Sequence, residues 1–303
     1  VGGNGCGKSR TVGRTRLTHS DGPMEGKVVM VTGAASGIGA ATARGIAQQG
    51  AVVILVDRDL EKGAATTNRI RQETNNPVVE FIAADLSIQQ EIRRLAQQFQ
   101  SRYQRLDVLV NNAGAIFAER QESADGIEMT FALNYLGYFL LTNLLLDTLK
   151  TSAPARIINV SSRSHARAHI KFDDLESRSD YQGLQVYAHS KLAIVLFTYE
   201  LARRLAGTGV TANVLHPGVV ATNFGGNHKG TLGFLMRLFR FAFINPDQGA
   251  QTSIFLATAP EVEGVTGKYF VKCKAIPSSP ASYDMATAER LWQMSVAYTT
   301  PVT

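Results

Sequence analysis

Tyr187 and Lys191 stand four residues apart in Tyr187-Ala-His-Ser-Lys191, at the head of an apolar helical run that continues to about Ala206. Residues at this spacing lie one above the other on a single helix face, so a phenol and an ammonium can share one small site. A free tyrosine keeps its proton up to a pH near 10, and taking a proton from an alcohol near neutral pH needs a lowering worth about 3 to 4 kcal/mol. A partly desolvated ammonium a few ångströms away favours the phenolate and can supply much of that. The pair predicts a tyrosine that exchanges a proton, although the same spacing also arises by chance on helices.

Such chemistry needs a reaction partner held beside it, and the region after Met24 offers a place for one. Lys27 to Thr32 is a β-rich strand, followed by Gly33-Ala-Ala-Ser-Gly37-Ile-Gly39 and a helix to about Gln49. Glycines in a strand-to-helix turn let a diphosphate approach the helix N-terminus, where free amides and the dipole favour anions. A second buried strand, Ala51 to Val56, ends in Asp57, whose carboxylate can take both hydroxyls of an adenosine ribose and would repel a 2′-phosphate. NAD is therefore the expected cofactor, while the neighbouring Arg58, able to hold a phosphate, leaves NADP open.

Thr32-Gly-x-x-x-Gly-Ile-Gly39 resembles the first strand-to-helix turn of the short-chain dehydrogenase/reductase family. Further motifs follow in order at strand ends: Asn111-Asn112-Ala113-Gly114, Asn159-Val-Ser161-Ser162, and Tyr187 with Lys191. Asn-Val-Ser-Ser, Tyr-x-x-Ser-Lys-Leu-Ala and a long connection containing Asp173-Asp-Leu175 are similar to the subgroup of retinol dehydrogenases and the WW-domain oxidoreductase. The resemblance covers about Met24 to Val271.

The resemblance implies the following roles. Tyr187 is the acid/base, Lys191 tunes it and binds nicotinamide ribose, and Ser162, the second of two serines ending the fifth strand, orients the substrate oxygen. Asn134, on the long apolar helix from about Gly126 to Lys150, completes a water-linked relay from the lysine. Read from its surroundings alone, that amide is either a structural bridge or part of a proton path. The cofactor would rest on Thr32, Gly33, Ser36, Gly37, Ile38, Gly39, Asp57, Arg58, Asp85, Leu86, Asn112, Ala113, Gly114, Pro217, Gly218, Val220 and Thr222, together with Tyr187 and Lys191. Within that set Asp85 would meet the adenine, unless it only forms a turn, and Thr222 would hold the nicotinamide carboxamide. Ser36 stands where NADP-preferring relatives often place a basic residue, which agrees with NAD.

The remaining elements frame these positions. The alternation of strands and helices predicts a doubly wound parallel sheet of about seven strands in one domain, with helices on both faces. Ser87-x-x-Gln90 reads as a capping box for a helix whose apolar stripe is Ile88, Ile92, Leu95 and Phe99. His165 and His169, four apart between Ser162 and Tyr187, read as part of a solvated loop. Asn245-Pro-Asp247 caps a helix to about Ala259, Gly267 to Val271 is the last strand, and a helix from Ala286 to Val296 packs Trp292 on the body. Thr231 to Ile244 shows one broad apolar face, read as a lid over a lipophilic pocket within about 225–245, with a core helix and a membrane-surface helix as alternatives.

Composition excludes several other classes. The net charge is +6, and residues 1–23 carry half of it through Lys8, Arg10, Arg14 and Arg16 against Asp21, so the body is too mildly basic for a nucleic-acid partner. Two distant cysteines, Cys6 and Cys273, and six histidines without ligand spacing predict no metal and suit a reducing compartment. No run of apolar residues is long enough to span a membrane, so a cytoplasmic location is expected, with peripheral membrane contact left open. Gly2 to Ser9 formally matches a phosphate-binding P-loop, but no strand precedes it and no helical pattern follows, so residues 1–23 are expected to be a disordered extension. A homodimer through the two long apolar helices, about 126–150 and 185–206, is open. The expected activity is hydride transfer between nicotinamide and a lipophilic, retinoid- or steroid-like alcohol or carbonyl. The alternative is a non-catalytic dinucleotide sensor or scaffold with the same fold.

Overall fold

The computed structural model describes residues 22–218 and 245–300. The P-loop-like stretch, the expected disordered extension through residue 21, Val220, Thr222 and the apolar stretch 231–244 lie outside the described residues.

Eight strands form one sheet in the order β3-β2-β1-β4-β5-β6-β7-β8. They are β1 (Val28–Thr32), β2 (Val52–Asp57), β3 (Val79–Ala83), β4 (Val108–Asn111), β5 (Ala155–Val160), β6 (Val210–His216), β7 (Tyr269–Val271) and β8 (Lys274–Ile276). All neighbours are parallel except β7 and β8, which form an antiparallel pair. The seven expected strands are present. β8 is the addition, and its three exposed residues carry no alternating pattern from which a strand could be read.

Side chains along each central strand alternate between two cores, as the pleat requires. Val29, Val31, Val53 and Leu55 face α1 (Gly37–Ala47), α2 (Leu60–Thr74) and the helix Pro246–Thr258, which we label α8. Val28, Met30, Ile54 and Val56 face α3 (Gln89–Arg102) and the segment built from α4 (Met129–Phe131), α5 (Gly137–Leu144) and α6 (Leu146–Thr151). The same face carries α7 (Gly183–Arg204) and α9 (Met285–Thr299). The sheet reverses its order between β1 and β4, and the crevice at their carboxyl ends is where such sheets bind ligands.

Two local expectations are corrected. The helix over 126–150 is not continuous: it opens into a π-helical turn at Ala132–Leu136, around Asn134, and breaks again at Leu145. The capping box at Ser87 does not form. Ser87 turns back to donate its hydroxyl and its amide to Asp85 at 2.7 and 2.9 Å, and Asp125 takes the Gln89 amide at the start of α3. At α8 the cap is as expected, with the Asn245 side chain accepting from Asp247 N at 3.0 Å.

α9 lies across α7 and the π-helical turn. Trp292 packs its ring 5.0 Å from Phe139 and 5.7 Å from Phe197, and Tyr135 and Ser295 share a buried hydroxyl–hydroxyl bond at 2.7 Å. Part of the face offered by the two long helices is thus covered by the chain's own C-terminal helix.

Candidate active site

The carboxyl ends of β4 and β5 and the first turns of α7 meet at one place. Lys191 is only 3% exposed, and its ammonium donates to the Val160 carbonyl at 3.0 Å. The same ammonium lies 5.5 Å from the Tyr187 ring centroid and 5.9 Å from that of Tyr138. Tyr187 keeps partial exposure and hydrogen-bonds the Ser162 side chain.

The electrostatics differ from the sequence expectation. Burial pushes Tyr187 up to about 12, with the Ser162 bond acting the other way, and burial brings Lys191 down to about 7. Both groups are withdrawn from water, and the Lys191 ammonium donates to the Val160 carbonyl rather than to the phenol. Near neutral pH the phenol is protonated.

The two serines at the end of β5 separate cleanly. Ser161 is buried and spends its hydroxyl on the Lys191 carbonyl at 2.8 Å. Ser162 is half-buried, accepts from Ser164 N at 3.3 Å and bonds Tyr187. Only Ser162 is placed to meet a third group beside the phenol.

Asn134 is fully buried and serves as a bridge. It accepts from Ala115 N at 2.9 Å and donates to Ala115 O at 2.9 Å and to Ser190 Oγ at 3.2 Å. A side chain on Gly114 would reach within 3.1 Å of the Asn134 oxygen and 3.5 Å of the Lys191 ammonium, so a glycine lets the chain pass between them.

The residues around the glycine turn fit a dinucleotide. A Cβ on Gly39 would sit 2.2 Å from Gly33 O, so α1 can start this close to β1 only with glycine there. Ser36 precedes α1 in extended conformation with no side-chain cap bond, leaving the first-turn amides to a ligand anion. Asp57 ends β2 and takes the Ala35 and Asp59 amides at 3.1 and 3.2 Å.

Other expected cofactor residues also hold the fold together. The Thr32 hydroxyl accepts from Asn112 N and Ala113 N, and Asn112 returns its side-chain amide to Thr32 O at 2.8 Å, tying β1 to β4. Ile38 and Leu86 are core residues. Asp85 forms the turn with Ser87 and lies 3.8 Å from Arg58, so Arg58 is directed toward that acid. Pro217 and Gly218 follow β6, where Gly218 N donates to His216 Nδ1 at 3.4 Å.

Two features escaped the sequence. A buried polar ladder crosses the sheet, with Asn111 donating to Thr142 and Asn159, and Asn159 donating to Thr198. His165 is not in a solvated loop, whereas His169 is exposed. His165 is 3% exposed, with its ring against Tyr269 and its nitrogens paired to Ser162 O and Ser279 N. The Ser279 contact has no sequence signal, because that residue arrives from the far end of the chain.

Comparison with known proteins adds an independent line. The family model described as short chain dehydrogenase matches residues 27–231. Retinol dehydrogenase 12 of Mus musculus is 46% identical over 270 residues, spanning 89% of this chain and 85% of that protein. The solved structure of an uncharacterized protein from Mycobacterium Paratuberculosis aligns with a TM-score of 0.75 at 32% identity, covering 92% of this chain and 96% of the other. The Pseudomonas aeruginosa RhlG/NADP active-site complex aligns at 0.64 and 29% identity, covering 81% of this chain and 94% of the other. With its doubly wound sheet and its motifs in order at the strand ends, the chain belongs to the short-chain dehydrogenase family, in the retinol dehydrogenase-like subgroup.

Proposed function

We propose that this NAD(P)-dependent oxidoreductase of CH–OH groups interconverts a lipophilic alcohol, retinoid- or steroid-like, and its carbonyl compound, with Tyr187, Lys191, Ser162 and Asn134 forming the site. The observation that carries the reading is the meeting of Tyr187, Ser162 and the buried Lys191 ammonium at the strand ends beside the glycine turn. A bound nicotinamide dinucleotide supplies the hydride acceptor or donor.

The chain's own residues handle the proton. In reduction Tyr187, which burial keeps protonated, gives its proton to the carbonyl oxygen, and in oxidation its phenolate receives the proton of the hydroxyl. Ser162 directs its hydroxyl at the same oxygen and fixes which lone pair meets the phenol. Lys191 contributes positive charge that favours the phenolate once the proton has left. Asn134 acts as a positioning residue, holding Ala115 and Ser190 around Gly114.

NAD is the proposed cofactor, supported by the Asp57 carboxylate at the end of β2. Arg58 works against it, and the NADP complex among the structural relatives keeps the phosphate form in the test. The lipophilic substrate class is supported by the retinol dehydrogenase relatives and by the apolar stretch 231–244 of the sequence. The deciding experiment is titration with NADH and NADPH, followed by turnover on retinoid and steroid alcohols and on small polar sugars. Activity confined to sugars would overturn the substrate class, and tighter NADPH than NADH binding would overturn the cofactor choice.

A further inference from the structure

The histidine behind the serine has chemistry that the site described so far does not use. His165 sits in the 3-10 turn Arg163–Arg167 that leaves β5, and it is buried. Its Nδ1 lies 2.7 Å from the Ser162 carbonyl oxygen, and the Ser279 amide points at its Nε2 at 3.2 Å. A backbone N–H can only donate, so Nε2 carries the lone pair and the ring proton is on Nδ1, which donates to the Ser162 carbonyl. Burial holds the imidazole below its usual pKa, in agreement with this neutral tautomer. The ring rests 4.9 Å from that of Tyr269 on β7.

We propose that His165 is a positioning residue for the reaction: by holding the Ser162 carbonyl through Nδ1–H it fixes the direction of the Ser162 hydroxyl toward Tyr187. The proposal rests on the oxidoreductase reading above. The Ser162 side chain accepts a hydrogen bond from the Ser164 amide at 3.3 Å, a long contact that leaves its direction to the backbone. The imidazole Nδ1 joins the His165 backbone N–H, which reaches the same Ser162 carbonyl at 3.2 Å, and the ring ties that backbone through Nε2 to the segment after β8. The C-terminal part of the chain thereby supports a serine at the reacting centre.

The two ring nitrogens can be tested apart. Asparagine places its amide nitrogen where Nδ1 lies and is too short to reach Ser279, whereas glutamine reaches the Nε2 position. Turnover, KM, dinucleotide affinity and melting temperature are measured on the full chain with the nicotinamide form that binds it and a carbonyl substrate it turns over. His165→Ala and His165→Gln should lower kcat about 10- to 100-fold, as misplacement of a reacting group does, with dinucleotide affinity within about twofold. His165→Asn should recover kcat to within about threefold of the parent chain, although it loses the Ser279 contact.

In a Ser162→Ala background, His165→Gln should cost less than about twofold more, because the group it positions is already gone. Equal losses in the two backgrounds, a normal kcat for His165→Gln, or an Asn variant no better than Gln would each overturn the proposal. If His165→Ala does not fold, the Asn and Gln pair decides. Tyr187→Phe serves as the control for the parent reading. Turnover surviving in that variant defeats the oxidoreductase site itself, whereas turnover lost there but unchanged in the His165 variants defeats only the positioning role.

Discussion

Ser161 donates its hydroxyl to the Lys191 carbonyl at 2.8 Å, while the Lys191 ammonium donates to the carbonyl of Val160 at 3.0 Å. The end of β5 and the third turn of α7 are therefore tied twice. The lysine's height over the site is set by the strand rather than by its own flexible stem, which is how a buried ammonium is held without a carboxylate.

Neighbouring serines should then respond in opposite ways. Ser161→Ala removes a buried bond and should cost about 1 kcal/mol of stability. Ser162→Ala should leave stability within about 0.5 kcal/mol and lower turnover about 100-fold. Urea denaturation and steady-state kinetics on both variants check this, and the reverse pattern would assign the substrate-facing hydroxyl to Ser161.

Tyr187→Phe keeps the ring and removes only the exchangeable hydrogen. Hydride transfer should fall by at least about 100-fold, with dinucleotide binding, followed by NADH fluorescence, changed by less than threefold on the order of experimental scatter. Near-normal turnover would remove Tyr187 from the chemistry.

Asn134 bonds the Ala115 backbone on both sides, so either half of its amide matters. Asn134→Ala should destabilise by about 2 kcal/mol, and Asn134→Asp by at least as much, since a carboxylate there repels Ala115 O and loses the donor to Ser190. Chemical denaturation gives both values. A neutral Asp variant would show that the donor bonds are dispensable.

The pH dependence of stability follows from groups buried neutral. Burial, aided by the Arg163 charge, brings His216 down to about 4 from 6.5, so between those values the unfolded chain binds more protons than the folded one. Stability should fall as pH drops from about 6.5 to 4, by up to about 3 kcal/mol from this group. Lys191, brought down to about 7 from 10.5, acts in the same sense higher up, and stability should rise with pH across that interval. Denaturation midpoints at several pH values for the parent and for His216→Gln test the first statement. An unchanged acid slope in the variant would contradict it.

Trp292 joins α9 to the body through Phe139, Phe197 and Arg204, whose guanidinium lies 4.3 Å from the indole centroid. Trp292→Ala should cost about 2 kcal/mol, less than a fully buried tryptophan because the ring is partly exposed. It should also promote self-association through the bared faces of α5 and α7. Sedimentation of the parent chain is expected to show no dimer through those helices. A parent dimer disrupted by substitutions on the outer face of α7 would refute that.

The sequence carried the sheet's seven principal strands, the glycine turn and the Tyr187–Lys191 pair, because these are local: strand propensity, turn sterics and helical spacing act within a few residues. It also placed Asn134 in an apolar helix and left open whether that amide is a bridge. Tertiary structure decided the rest. Which of two adjacent serines faces the phenol depends on Lys191 of α7, thirty residues on. Where the Lys191 ammonium sits depends on a carbonyl of β5 accepting its hydrogen bond, and whether His165 is solvated depends on Ser279 arriving behind it. Burial and the pairing of polar groups are set by chain segments distant in sequence, so spacing shows which side chains could meet, and packing determines which of them do.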